Sequence, residues 1–489
     1  MKNFSVLLFV AACALLAGCA GERATLRPPE VSVPEKWTAA AAQESEMPGP
    51  WWKGFNDAQL DALVERALRS NNDLSVTALR VRRAQLVAGL VDTNRTPSVA
   101  VAATAGIARS FDPGATSRSS GLSALAVLET DPWGKLAAQR DVAASEAEAT
   151  QSDCRGFAAA LSVTTARLYW RVAFLNQVLA LSEADIAYAQ KALEVVRAKH
   201  EAGAVSGLGA SQAQLYLSNL EAAHTQLLQQ RVEARHALAI LFNQPPQSAV
   251  EERPRLPEEA LPAVAPGLPA AVLANRPDLH AAELRLRAAL ANVDFTRASF
   301  YPTLTLTGSF GTASTALLSF LKNPLLTLGA GVALPFVQWN TMDLSIRVSE
   351  TQYEEAVVNF RQRLYVALKE VEDGLSARTQ LQAEADKLAS ALTHARRAES
   401  IAQSRYVAGA TEAQLWFDAQ QFLRNAERSL AANRLSQLDN QAVLYQALGL
   451  AGRQDGSECR ESIAERKDSA AAVRTPAVRT SGARNTSAQ

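Results

Sequence analysis

Histidine and cysteine are the residues of this chain whose chemistry could be catalytic or metal-binding. Their spacing points elsewhere. The five histidines stand at 200, 224, 236, 280 and 394. No two of them fall one helical turn apart, the separation that aims two imidazoles at one metal. There is no HExxH helix, no phosphate-cradling glycine loop and no GxSxG elbow. His280 and Glu283 are a one-turn pair, and the pattern predicts a solvated helix pair rather than half a metal site. No nucleophile lies beside a base. The expectation is therefore a protein that is not an enzyme, with no cofactor and no metal.

The four cysteines divide by position. Lys2 supplies a basic start, Val6 to Ala17 form a short apolar run, and Leu16-Ala17-Gly18-Cys19 follows, so residues 1–18 read as a secretory signal peptide. The tetrapeptide resembles the bacterial lipobox, in which the cysteine is acylated and becomes the mature first residue. That resemblance makes Cys19 the lipidation site. Ala20 rather than Asp follows it, which in enteric-type sorting implies the outer membrane. Each buried CH₂ of an acyl chain contributes roughly 0.8 kcal/mol, so several chains make a firm anchor. Cys13 leaves with the signal. Cys154, in a helical stretch, and Cys459, in the tail, offer no readable disulfide framework.

The elements that must position any functional residue come in two copies. Ala202-Gly203-Ala204 recurs as Ala408-Gly409-Ala410, so Gly203 and Gly409 are 206 positions apart. Trp133 matches Trp339 and Phe242 matches Leu448 at the same offset, and Pro97 matches Pro302 at 205. A period that long signals two pseudo-symmetric halves rather than a stacked array. The first repeat spans 51–245 and the second 246–450. Residues 19–50, with Pro28, Pro29, Pro34, Pro48 and Pro50, read as a lipidated linker, and 451–489 as a disordered tail.

Helix dominates both repeats. From Asp343 to Arg405 there is no proline, and Phe360, Leu364, Leu368, Val371 and Leu375 make an apolar stripe. A helix of about 60 residues is about 90 Å long. The first half has its equivalent near 136–201. Shorter helices are expected near 57–95, 211–243, 270–299 and 412–449, so that two of them match one long helix. Four stretches instead alternate: 98–106, 120–130, 303–311 and 325–334, the third reading Thr303-Leu304-Thr305-Leu306-Thr307. Period-two alternation over about 9–11 residues suits a membrane-spanning strand. Hairpin loops are expected at 109–119 and 312–323.

Four strands cannot enclose a channel, because even eight leave an interior filled by side chains. If these strands span a membrane, several chains must share one barrel. Three would give twelve strands and four would give sixteen. Lys plus Arg and Asp plus Glu both number 49, and this balance argues against a nucleic-acid partner.

Several segments now carry a family resemblance. WWKGFNDAQLDALVERALRSNNDL (51–74), DPWGK (131–135) and NRPDLHAAELRLRAALANVDFTRASFYPTLTLTG (275–308) resemble the TolC-like outer membrane efflux channels, in the lipidated OprM/NodT-type branch. The resemblance covers roughly 16–450. It implies a mostly α fold with a β-barrel part: a trimeric α-helical tunnel plus a 12-stranded transmembrane β-barrel, four strands per chain. It implies a lipid-anchored protein of the cell outer membrane that extends into the periplasm. Its partners would be two further copies of itself, outer-membrane lipid, a periplasmic adaptor and a proton-driven inner-membrane transporter.

The same resemblance suggests roles. Gly203 and Gly409 fall at turns that would dock the adaptor, and glycine suits the left-handed turn that closes a helix. Asp418, nine residues after Gly409, falls where the family places a carboxylate lining the periplasmic constriction. Three such carboxylates would attract cations and repel one another. Tyr406 matches a latching tyrosine. Leu415 stands where a second acid is expected, Thr411 in place of an arginine, and Gly209 in place of a polar latch partner. A more apolar closure follows. The expected function is the exit duct of a tripartite pump for small molecules. The alternatives are a lipid-anchored, non-conducting coiled-coil spacer and a protein-secretion channel.

Overall fold

The computed structural model describes residues 32–38, 50–109, 116–204, 206–264, 267, 269–314, 324–452 and 459. Cys19 and most of the expected linker and tail therefore lie outside the described residues. The chain opens on a 3₁₀ turn at Trp51–Phe55, followed by α1 (Ala58–Ser70) and α2 (Asn72–Asp92). Strands β1 (Ser98–Arg109) and β2 (Thr116–Thr130) lead into α3 (Lys135–Glu201) and α4 (Gly207–Leu241). The second repeat follows the same order: α5 (Pro269–Asn275), α6 (Pro277–Ala298), β3 (Thr303–Ser314), β4 (Pro324–Ala333), α7 (Trp339–Val407) and α8 (Ala413–Ala447). The long helices have 67 and 69 residues, and α4 and α8 have 35 each.

Two expected helices are each broken in two, for local reasons. In place of one helix over 57–95, Asn71 ends α1 in an extended conformation and accepts from Leu74 N–H at 3.0 Å, capping α2. In place of one helix over 270–299, Pro277 starts α6, and its ring disfavours helical backbone at Arg276. The strands are longer than expected, because the ladder continues beyond the apolar stretch, and residues 110–115 and 315–323 of the expected hairpin loops lie outside the described residues. Thr116 pairs with Arg109, and Thr312 with Pro324. Threonine and serine fit a pleated ladder well enough to extend it.

Two compact units result, and each draws on both repeats. The first contains Arg80–Ser152 and Leu279–Arg363. Its four strands form one antiparallel sheet in the order β1-β2-β3-β4. The register sorts side chains onto two faces. Val101 pairs with Ala124, Ala124 with Phe310, and Phe310 with Leu326. Leu128, Leu306 and Ala330 form a parallel row, and Leu304 and Val332 another. The opposite face carries Thr303, Thr305, Thr307, Ser309, Ser123 and Thr327. Val101, Phe310, Leu326 and Val332 are all exposed in the single chain. Among the described residues, no helix is long and apolar enough to cross a membrane.

Two of the quoted segments meet at the end of this sheet. Asp131 accepts from Leu136 N–H at 3.0 Å and Ala137 N–H at 2.9 Å, capping α3. Gly134 has φ +74. Trp133 donates its indole N–H to the Pro302 carbonyl at 2.8 Å and packs on Tyr301, with ring centroids 5.6 Å apart. The DPWGK and Tyr301-Pro302 segments are thus one joint between sheet and helix.

The second unit contains Ser32–Leu79, Asp153–Asp278 and the chain from Leu364. Its aromatic core explains the opening segment. Trp51 and Trp52 are buried, with the Trp51 ring tilted against Tyr445, centroids 5.6 Å apart, and its indole N–H donating to Ser162 Oγ at 3.1 Å. Asp57 caps α1 and accepts from the Tyr169 hydroxyl at 3.0 Å and from Arg253 at 2.7 Å. Arg276 is the buried centre of a second knot. Its guanidinium donates to Asp278 at 2.8 Å, Glu370 at 2.6 Å and the Ala447 carbonyl at 3.0 Å. Breaking such a pair leaves a buried charge unpaired, which costs about 3–5 kcal/mol.

Candidate functional site

The second unit holds every described residue of the expected closure and docking sites. The two helix-to-helix turns are near-identical. After α3, Gly203 sits at φ +74, its N–H donates to His200 O at 2.9 Å, and Ala204 N–H donates to Lys199 O at 2.8 Å. After α7, Gly409 sits at φ +75, its N–H donates to Tyr406 O at 3.0 Å, and Ala410 N–H to Arg405 O at 2.9 Å. This hydrogen-bond pattern closes a helix through one left-handed residue. A Cβ on either glycine would meet no atom within 4 Å. Backbone conformation alone therefore selects glycine at both positions. A cleft of ≈ 910 Å³ lies at these turns, lined in part by Lys199, Leu208, Gln212, Tyr406, Thr411 and Gln414.

Tyr406 is buried. Its ring stacks on Trp416 with centroids 5.2 Å apart, and the Lys199 ammonium lies 4.0 Å from its centroid. Lys199 also donates to the Tyr406 carbonyl at 3.2 Å. The Tyr406 hydroxyl is buried with no hydrogen-bond partner among the described residues, and burial pushes its pKa up. Phe417 stacks on Tyr216 at 5.1 Å, extending the cluster onto α4. Apolar packing and one cation–π contact thus hold Tyr406 in this cluster.

Asp418 and Leu415 lie outside that cluster. Leu415, Asp418 and Phe422 follow the i, i+3, i+7 spacing of one helix face. Leu415 is 50% exposed and Phe422 67%, while Trp416 and Phe417 are buried. Asp418 accepts from Gln414 on its own helix at 2.7 Å. One carboxylate therefore stands on an open apolar stripe of α8.

Sequence reasoning missed two further groups. Glu399 of α7 accepts from the Tyr188 hydroxyl at 2.9 Å and from Trp416 Nε1 at 3.1 Å. Burial, then the Glu399 carboxylate, raises the Tyr188 pKa. Deeper along the helices, Asp185 of α3 faces Arg424 at 3.7 Å and Arg428 at 3.9 Å. Those distances are ion pairing rather than hydrogen bonding. Burial raises the Asp185 pKa to about 6 against the pull of both arginines. Arg424 in turn lies over Tyr216, 4.9 Å from its centroid. On a helix these residues look like ordinary surface charges, and no spacing rule distinguishes them. His280 hydrogen-bonds Ser152 at 2.9 Å while Glu283 pairs with Arg287 at 2.6 Å. Among the described residues, no group of three His, Cys, Asp or Glu side chains could hold a metal ion.

Comparison with known proteins agrees with this architecture. The family described as outer membrane efflux protein matches twice, over residues 63–244 and 268–450. The pyoverdine export outer membrane protein OpmQ of Pseudomonas aeruginosa is 30% identical over 471 residues, 92% of this chain and 97% of that protein. The outer membrane protein OprJ of the same species is 28% identical over 464 residues, 89% of this chain and 94% of that one. The outer-membrane channel OprN superposes with a TM-score of 0.81 at 23% identity, over 88% of this chain and 98% of its own. The Campylobacter jejuni CmeC outer membrane channel gives 0.81 at 21%, over 90% and 98%. With both repeats matched, a two-faced sheet and twin helix turns, the chain belongs to the outer membrane efflux protein family.

Proposed function

We propose that this protein is the exit duct of an efflux pump in the cell outer membrane, acting as a homotrimer whose three sheets close one twelve-stranded barrel. The observation that carries the reading is the sheet. One face carries Val101, Leu128, Leu304, Leu306, Phe310, Leu326 and Val332, the other is mostly small and hydroxyl-bearing, and among the described residues β1 and β4 each have a single neighbour. Unpaired strand edges cannot remain in hydrocarbon, so closure by further copies is required. Three copies is the number the family resemblance implies. The apolar face would meet lipid, and the threonine-lined face would meet the lumen.

In this reading α3, α4, α7 and α8 line the periplasmic tunnel. The open stripe Leu415–Asp418–Phe422 faces the axis and narrows it, with Tyr406 holding α7 against α8 behind it. The turns at Gly203 and Gly409 are the contact for a periplasmic adaptor, which would join the duct to a proton-driven inner-membrane transporter. Cys19 carries the acyl anchor. Because OpmQ is named for pyoverdine export, small organic molecules are the proposed cargo. The duct acts on them by conduction, without chemistry.

The test is reconstitution. Detergent-extracted protein should run as a trimer of about three times 52.3 kDa less the signal, and planar bilayers should show discrete conductance steps. Monomer under cross-linking, with silent bilayers, would instead establish the non-conducting spacer.

A further inference from the structure

Cys154 and Cys459 carry an inference that neither family membership nor sequence spacing supplied. The two are bonded as a disulfide across 305 positions, with Cα atoms 6.5 Å apart. Both are buried, at 0% and 4% exposure. Spacing is silent because the partners come from opposite ends of the chain and only folding brings them together. The bond also places Cys459 in the core of the second unit, although it belongs to the segment read as a disordered tail.

Its surroundings show what it secures. Gly156, half a turn beyond Cys154, packs on Pro277, with an ideal Cβ 3.8 Å from the proline Cβ. Pro277 adjoins Arg276, whose guanidinium holds the Ala447 carbonyl at the end of α8. Two residues on, Gly449 turns the chain at φ +73, and a Cβ there would lie 2.9 Å from the Asn275 carbonyl. Leu448 and Ala451 are buried beside it. The first long helix, the Arg276 knot and the end of the last helix therefore converge, and the disulfide joins the first of these to the chain beyond the last.

We propose that Cys154–Cys459 is an oxidative modification site, cross-linked in the cell envelope by thiol–disulfide exchange with an oxidising protein disulfide, and that the bond locks the C-terminal end of α8 over the Arg276 knot. One cysteine thiolate attacks the oxidant's disulfide, forming a mixed disulfide and releasing one thiolate. The second cysteine thiolate then attacks the mixed disulfide, forming the 154–459 bond and releasing the other. The two cysteines lose two protons and two electrons, and the oxidant leaves as a dithiol. Exchange needs access to sulfur, and both sulfurs end buried, so the bond forms before this part of the core closes. It rests on the reading above, because only an exported chain meets an oxidising compartment.

The full-length protein is extracted from membranes, alkylated under denaturing conditions without reductant, and digested with trypsin. Mass spectrometry should find residues 141–155 linked to residues 454–460, and reduction should separate them. Non-reducing gels of the denatured protein should show the monomer, placing the link within one chain. Hydrogen exchange of Cys459→Ala should rise several-fold over residues 445–452 and 273–279 and stay unchanged over 203–217. Alkylated thiols on both cysteines, a link between chains, or unchanged exchange in Cys459→Ala would each overturn the proposal. Membrane fractionation separates the two readings. Free thiols in protein that fractionates with the outer membrane would sink the cross-link alone, whereas absence from that fraction would sink the duct.

Discussion

In the sheet, the described residues leave apolar side chains and strand edges unsatisfied. At the helix turns they do the reverse. Val101, Phe310, Leu326 and Val332 are exposed on one sheet face. Tyr406, Trp416 and Phe417 are buried by side chains of the same chain. Both regions are products of one duplication, so the contrast does not come from ancestry. It comes from what completes each region. In the proposed duct the sheet is completed from outside, by lipid and by other copies. The turns are completed from inside, by stacked rings, Lys199 and Glu399. Substitutions in the two regions should therefore fail in different assays.

The largest effect is expected at the sheet. Leu306→Arg puts a charge on the apolar face, at roughly 2–4 kcal/mol near the midplane in every subunit. Trimer recovered from the outer membrane should fall to a small fraction of wild type, with normal helical circular dichroism in whatever is recovered. Normal insertion would place Leu306 on the lumen side and break the contrast.

Next come two glycines with similar φ and different surroundings. Gly449→Ala combines left-handed backbone with a clash against Asn275, so it should lose about 2–4 kcal/mol. Gly409→Ala meets open space and should lose about 1 kcal/mol from backbone conformation alone. Thermal unfolding of the two variants checks the order. Equal losses would mean that neighbours at Gly449 move aside easily.

A smaller effect is expected at Asp185. Its pKa of about 6 is above the unfolded value, so the folded state binds the proton more tightly. Stability from this group is therefore complete below about pH 4 and is lost as pH rises through about 6. Asp185→Asn should flatten that part of the stability–pH curve. An unchanged slope would assign the titration to another carboxylate.

The smallest structural effect is expected at Asp418, on a stripe of α8 that the described residues leave open. Asp418→Asn should leave trimer yield and melting unchanged. Block of conductance by divalent cations from the periplasmic side should weaken, because in the proposed duct three carboxylates near one axis would bridge a cation. Identical block would place Asp418 on the outer surface, and sharpen the contrast by making the closure wholly apolar.

Much of this was legible in the residues themselves. The repeat offset, the long helices and the four alternating stretches depend on local periodicity, and periodicity is a property of neighbours in sequence. The left-handed turns at Gly203 and Gly409 were legible for the same reason, since only the residue's own backbone is at stake. The breaks at Asn71 and Pro277 were written locally too, but apolar spacing ran across both and hid them. Tertiary structure alone decided the rest. Tyr188 meets Glu399 across 211 positions, Lys199 meets Tyr406 across 207, and Cys154 meets Cys459 across 305. It also decided that Tyr406 is buried while Asp418 is not, although the two are twelve residues apart. A sequence records which face of a helix is apolar. Which charge, ring or sulfur lies opposite that face depends on how distant helices pack, and the chain specifies that only when folded.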